Sequence, residues 1–197
     1  GGGLVELDLV KEAIDELEKS GCKAFVLCSV ESDLIRKKID ELTEKGYPVV
    51  LLNNDLPGSK RLCFVGPDYL KSGRVAATMV DKCRQNTPLK ILVVVGYKEH
   101  LGHKTRVEGF ISELKARRND FEIVDVIEGK DQDIITQQVT MKAFLAHPEI
   151  NVVYMATGSG VSGLGAAIIA DAVHQRFVVA CDEIYTTKEL VKNDIID

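Results

Sequence analysis

Short apolar runs without polar alternation constrain this chain more than any other feature. Val49-Val50-Leu51-Leu52, Lys90 to Val95 and Val152-Val153-Tyr154-Met155 lack the in-and-out pattern of a strand with one wet face. Strands of this kind are buried on both sides, as in a parallel sheet covered by helices. Ala24 to Cys28, Arg61 to Val65, Glu122 to Ile127 and Phe177 to Cys181 complete seven strand-like runs. Helix-period stretches separate most of them. Leu9, Ala13, Ile14 and Leu17 stripe a helix over roughly 5–19, and Leu34, Ile35, Ile39 and Leu42 follow a capping Ser32. Further helices are expected over 71–85, 105–117, 133–146 and 163–174, with a last one from Thr186. The alternation defines an α/β fold with parallel sheets covered on both sides.

In such sheets ligands lie beyond the carboxyl ends of the strands. Those stretches are Asn53-Asn54-Asp55, Gly66-Pro67-Asp68, Gly96-Tyr97, Thr157 to Gly160, and Asp182-Glu183, and they concentrate polar residues and glycine. Composition excludes other classes. The chain has 197 residues and a formal charge of -5, an acidic balance that argues against its gripping nucleic acid, which needs clustered Lys and Arg. No apolar run approaches the ~20 residues of a membrane-spanning helix, and no signal peptide opens the chain. The five cysteines, Cys22, Cys28, Cys63, Cys83 and Cys181, form no C-x-x-C pair, which reads as buried reduced thiols in a cytosolic protein. The chain opens on a helix and closes without a terminal strand, so a piece of a longer protein is expected.

Several constellations compete for the functional role. Gly158-Ser159-Gly160-Val161-Ser162-Gly163 spells the dinucleotide fingerprint G-x-G-x-x-G, and Asp182 lies 19 residues after its last glycine. A dinucleotide fold, however, places that turn at its first strand, whereas a single strand follows it here. His100 and His103 sit three apart, but Gly102 is expected to interrupt their helix, and no third metal ligand has a characteristic spacing. Ser159, His174 and Asp182 do not form a triad, because His174 belongs at the far end of its helix and no G-x-S-x-G elbow is present. Arg106 is expected in the first turn of a helix, where a cation opposes the helix dipole. It serves either a ligand or a structural pair with Asp68 or Asp182. Asn53, Asn54 and Asp55 are either hydroxyl-binding groups or a polar turn.

Four stretches together point to a family. They are Pro48 to Ser59, Phe64 to Ala77, Gly102 to Phe110, and Val178 to Glu183, and the second reads V-G-x-D-x-x-x-x-G-R-x-A-A. In this order they resemble the effector-binding region of LacI-type bacterial transcription regulators, which shares its fold with periplasmic sugar-binding proteins. The resemblance covers nearly the whole chain. It implies two α/β lobes, each a parallel sheet flanked by helices, with ligand in the cleft between them. The amino-terminal lobe would span 1–68 and the carboxyl-terminal lobe 69–197, with the first and last strands lying outside the chain.

The same resemblance implies a carbohydrate or polyol effector and no catalytic residue, metal or cofactor. Its contacts would be Asn53, Asn54 and Asp55 at one strand end, Arg106 before x-x-G-F, Ser159 after the Val152 strand, and Asp182. Ser159-Gly160 replaces the family's usual Asn-Asp and so departs from the pattern. Tyr97 and Tyr185 are the local aromatic candidates for stacking on a sugar. A cytoplasmic homodimer is implied, contacting DNA through a helix-turn-helix absent from this chain. A transporter's periplasmic sugar-binding protein is the alternative, and a dinucleotide enzyme is the third reading.

Overall fold

Seven parallel strands form two separate sheets in a computed structural model that describes residues 2–28 and 32–197. The chain divides into two compact units, residues 1–67 and 68–197.

The first unit contains α1 (Gly2–Lys19), β1 (Phe25–Leu27), α2 (Asp33–Glu44), β2 (Val49–Leu52) and β3 (Cys63–Val65). Its sheet has the order β1-β2-β3, with Val26 opposite Val50 and Val50 opposite Cys63. Phe25, Leu27, Val49, Leu51 and Phe64 share the face that packs on Ile14, Ile35, Ile39 and Leu42 of the helices. Ser32 caps α2 as the sequence implies, accepting a hydrogen bond from the Leu34 amide. Expected cover on both faces is absent here. Val26, Leu52 and Val65, on the opposite face, are exposed, because no described helix lies over them. That also corrects the expectation of buried thiols. Cys63 sits on this open face, Cys28 follows β1, and Cys83 ends a helix; all three are exposed, and only Cys181 is buried.

The second unit follows the sequence pattern closely. It contains α3 (Tyr69–Cys83), β4 (Leu89–Val95), α4 (Leu101–Arg117), β5 (Phe121–Glu128), α5 (Asp133–Ala146), β6 (Val152–Met155), α6 (Val161–Ala170), β7 (Phe177–Ala180) and α7 (Tyr185–Lys192). The sheet order is β5-β4-β6-β7. Side chains alternate between two cores, as the pleat requires. Ile91, Val93, Val95, Val152 and Tyr154 meet α3 and α4, whereas Leu92, Val94, Val153 and Met155 meet α5 and α6. Both faces of β4 and β6 are therefore dry, which explains their uninterrupted apolar runs.

Two glycines set how α3 and α4 cross. A Cβ on Gly73 would collide with the Arg106 carbonyl oxygen, and one on Gly109 with the Leu70 carbonyl oxygen. Gly73 and Gly109 belong to G-R-x-A-A and x-x-G-F, so those motifs encode a backbone-close helix crossing. Asp68 caps α3 by accepting from the Lys71 amide.

Candidate functional site

The chain order of the second sheet creates a switch point. From β4 the chain moves outward to β5, then returns across β4 to β6 and continues to β7. Connections therefore diverge between β4 and β6, and the crevice at their carboxyl ends is where open α/β sheets bind ligands. Gly96-Tyr97 ends β4 and Ala156-Thr157 ends β6.

Arg106 is held at this crevice by the periodicity of α4. Gly102, His103, Arg106, Gly109, Phe110 and Leu114 are its buried residues and form one inward stripe. The helix begins at Leu101 rather than near Thr105, and Gly102 does not interrupt it. A Cβ there would sit 3.0 Å from the Tyr69 ring, so glycine is the residue that lets this turn pack against α3. Arg106 consequently occupies the second turn, past the strongest field of the helix terminus.

Its guanidinium is fixed from three sides. Nη2 donates to Asp182 Oδ1 at 2.7 Å, while Nη1 donates to Asp182 Oδ2 at 3.3 Å and to the Ala156 carbonyl at 3.1 Å. The Tyr69 ring covers its Cζ at 4.9 Å. Burial would lower the guanidinium pKa, but the hydrogen-bonded Asp182 carboxylate overcomes this and raises it. The side chains of Arg106 and Asp182 are 6% and 42% exposed, so the pair joins a buried cation to a half-wet anion. Arg106 Nε–H is buried without a partner among the described residues. Beneath lies an apolar floor, where Phe110 stacks on Tyr154 at 4.2 Å and the Tyr154 hydroxyl meets the buried Cys181 thiol at 3.6 Å. Burial pushes both of those groups' pKa values up, so they stay protonated.

The glycine turn acquires a packing explanation. Gly160 caps α6 in the left-handed region at φ 83°. Gly163 has no room for a Cβ beside the Asp133 carbonyl of α5, and a Cβ on Gly158 would lie 2.8 Å from Asp182 Oδ2. Ser159 is exposed on this turn, with its amide donating to Thr157 Oγ1 at 3.2 Å. His174 is exposed and paired with Asp171 at 2.9 Å, which leaves no triad with Ser159.

Sequence reasoning named the strand-end stretches holding Tyr97 and Thr157 and the pair His100 and His103, but not Asp131. His103 Nδ1 lies 3.3 Å from the Tyr97 amide, and its ring is 4.4 Å from that of His100. Burial lowers both histidine pKa values, so both are neutral at neutral pH. Thr157 is buried and donates to Asp131 at 3.3 Å. The end of β5 drew no attention because that strand carries Glu122 and Asp125 and lacks a continuous apolar run. No group of three possible metal ligands exists among the described residues.

In the first unit, Asn53 and Asn54 follow β2. Asn53 adopts φ 64° and its amide donates to the Val65 carbonyl, while the buried Asn54 Oδ1 has no partner among the described residues. Asp55 is paired with Arg61, whose Nε lies 2.7 Å from Oδ1.

Backbone strain marks the same edges. Among the described residues, non-glycine positive φ occurs at Asn53, Lys130, Asp131, Asp182 and Asp194, and the first four lie within three residues of the ends of strands β2, β5 and β7. Such conformations cost of order 1–3 kcal/mol each and cluster at ligand-binding positions.

These features define an α/β binding-protein domain built from two parallel-sheet units. The chain belongs to the periplasmic binding protein domain family, whose model matches residues 10–197. Among solved structures it is similar to XylFII, with 24% identity and a TM-score of 0.84 over 98% of this chain and 68% of that one. It is similar also to GanP, a glucose-galactose binding protein from Geobacillus stearothermophilus, with 18% identity, TM-score 0.84, and 94% and 66% coverage. A solute-binding protein from Burkholderia graminis in complex with D-arabinose gives 16% identity, TM-score 0.87, and 94% and 65% coverage. The chain thus spans about two thirds of the length of these structures. No curated protein sequence matches it. No helix among the described residues is long and apolar enough to cross a membrane.

Proposed function

We propose that this domain binds an uncharged sugar or polyol and belongs to a solute-binding protein that serves a transporter. The observation that carries the proposal is the buried Arg106 guanidinium, clamped by Asp182 at the switch point with Nε–H unpartnered. A rigid donor beside a half-exposed carboxylate suits a hydroxyl, which donates to one group and accepts from the other. Ser159 adds a hydroxyl on the adjacent turn. In the first unit the proposed contacts are Asn53 and Asn54, with Asp55 orienting the turn through Arg61. Sugar-binding proteins among the structural neighbours, GanP and an arabinose-binding protein included, support this substrate class.

A LacI-type regulator with the same ligand chemistry is the second reading. It is favoured by the G-R-x-A-A motif and by five free cysteines, three of them exposed, which suit a reducing compartment. That reading carries the cytoplasmic homodimer and the DNA-binding segment with it. Cell fractionation separates the two readings.

The binding test is calorimetric titration with pentoses and hexoses, with NAD and FAD as controls. Binding of a sugar, abolished by Arg106→Ala with the fold retained, is the expected result. Stabilisation by a nucleotide and by no sugar overturns the proposal.

A further inference from the structure

A second carboxylate lies on the same strand-end edge as the Arg106–Asp182 pair, reaching Thr157 next to the Ala156 carbonyl that accepts from Arg106. The turn after β5 is zipped to the end of β4, the Gly129 amide donating to the Val95 carbonyl at 2.8 Å and the Lys130 amide to the Gly96 carbonyl at 2.9 Å. Lys130 and Asp131 then take consecutive left-handed conformations, φ 52° and 55°. This turn carries the Asp131 side chain across the end of β4 towards β6. There Oδ1 accepts from Thr157 Oγ1 at 3.3 Å.

Gly96 makes the approach possible. A Cβ on it would strike Asp131 Oδ1 and would lie 2.8 Å from His103 Cε1. The carboxylate therefore occupies the space that a side chain on the β4 end would fill, between the His103 ring and Thr157. Asp131 is exposed and makes no ion pair among the described residues.

The local charges are unequal. Arg106 is matched by Asp182, and His100 and His103 are kept neutral by burial. Asp131 adds a carboxylate that makes no ion pair among the described residues, next to the Thr157 turn. We infer that Asp131 is a selectivity residue of this site, its carboxylate accepting a hydroxyl of an uncharged sugar and repelling sugar acids and sugar phosphates. The inference rests on the sugar reading above. A carboxylate acceptor strengthens a hydroxyl hydrogen bond, and a like charge in a partly desolvated site disfavours an anion.

Asp131→Asn tests it. Asparagine keeps the shape and the acceptor for Thr157, and it tolerates positive φ. Affinities of wild type, Asp131→Asn and Arg106→Ala are measured by calorimetry for D-xylose, D-glucose and D-galactose, and for D-glucuronate, D-galacturonate and glucose 6-phosphate. Wild type is expected to bind a neutral sugar and to discriminate against its charged counterpart. Asp131→Asn is expected to narrow the neutral-to-anion affinity ratio by about tenfold, an effect that salt diminishes in wild type. Asp131→Gly, which suits the backbone at φ 55°, is expected to give the same change. A merely structural Asp131 would leave this ratio unmoved. An unchanged ratio in both variants, with binding still abolished by Arg106→Ala, overturns the inference and leaves the sugar reading standing. No sugar binding by wild type, or binding indifferent to Arg106→Ala, removes both.

Discussion

Asp182→Asn should destabilise this protein more than Arg106→Met, although each removes one end of the same ion pair. The asymmetry follows from burial: the Arg106 side chain is 6% exposed and that of Asp182 is 42% exposed. Asparagine at 182 leaves the guanidinium with the Ala156 carbonyl and the Tyr69 ring but without a counter-charge. Removing one partner of a fully buried pair costs about 3–5 kcal/mol. Because water already reaches nearly half of Asp182, the expected cost of Asp182→Asn is about 2–3 kcal/mol. Methionine at 106 instead fills the apolar volume and leaves the lone carboxylate facing water. Its main penalty is the lost hydrogen bond to the Ala156 carbonyl, about 1 kcal/mol. The double variant should match Arg106→Met closely, since no buried charge remains. Urea unfolding followed by circular dichroism, with unchanged slopes, reads these differences as midpoint shifts. In thermal melts each kcal/mol corresponds to roughly 2–4 °C for a chain of this size. If Arg106→Met loses as much stability as Asp182→Asn, an uncompensated buried cation is not what Asp182 prevents, and the reasoning fails.

Three further outcomes are expected. Lys38, buried between α1 and α2, meets Asp15 at 2.5 Å and Glu18 at 3.0 Å, and hydrogen bonds from Lys11 and then Lys38 hold the Asp15 pKa down at about 2 from 3.8. A depressed carboxylate stabilises above its unfolded pKa, so stability contributed by this network should fall as pH drops from about 4 towards 2. Lys38→Met should flatten that fall in urea midpoints measured against pH. Burial lowers the His103 pKa, so the folded state disfavours its protonation. Stability should decline as pH falls below the unfolded value near 6.5, and His103→Gln should reduce that slope in thermal melts across the same range. Gly73→Ala forces α3 away from the Arg106 carbonyl. It should cost about 1–3 kcal/mol despite the better helix propensity of alanine, and it should weaken sugar binding in calorimetry by displacing Arg106.

The legible parts of the fold were those in which local pattern and tertiary environment agree. Ile91 to Val95 and Val152 to Met155 are apolar throughout because both faces are covered, and the sequence shows this directly. The first unit misled for the same reason in reverse. Val26, Leu52 and Val65 read as doubly buried, yet one face of their sheet is open among the described residues. Sequence can state what a face suits but not whether a neighbour arrives. Gly102 shows a second limit. Propensity says that glycine breaks a helix, but a Cβ there would crowd the Tyr69 ring at 3.0 Å, and packing prevails. The pairing of Arg106 with Asp182, 76 positions apart, was open as one of several alternatives. Asp131 was invisible, because its importance arises from a left-handed turn and from the space left at Gly96, neither of which has a periodic signal.

The strained residues explain why the strand ends, rather than the helices, carry the polar chemistry. A strand-end residue in an extended conformation continues outward, away from the sheet. A residue at φ near 60° turns the chain at once, which brings Asp131 beside Thr157 and Asp182 against Arg106. Asparagine and aspartate tolerate this conformation better than most residues and also supply the polar group. Asn53, Asp131 and Asp182 therefore combine turn geometry and a polar side chain in one residue. The glycine turn follows the opposite logic. Gly158, Gly160 and Gly163 give up side chains so that Asp182, Thr136 and α5 can approach. Its likeness to a nucleotide fingerprint reflects a shared demand for close backbone packing at a strand-to-helix turn, where Gly158 leaves room for the Asp182 carboxylate and Gly163 for the Asp133 carbonyl.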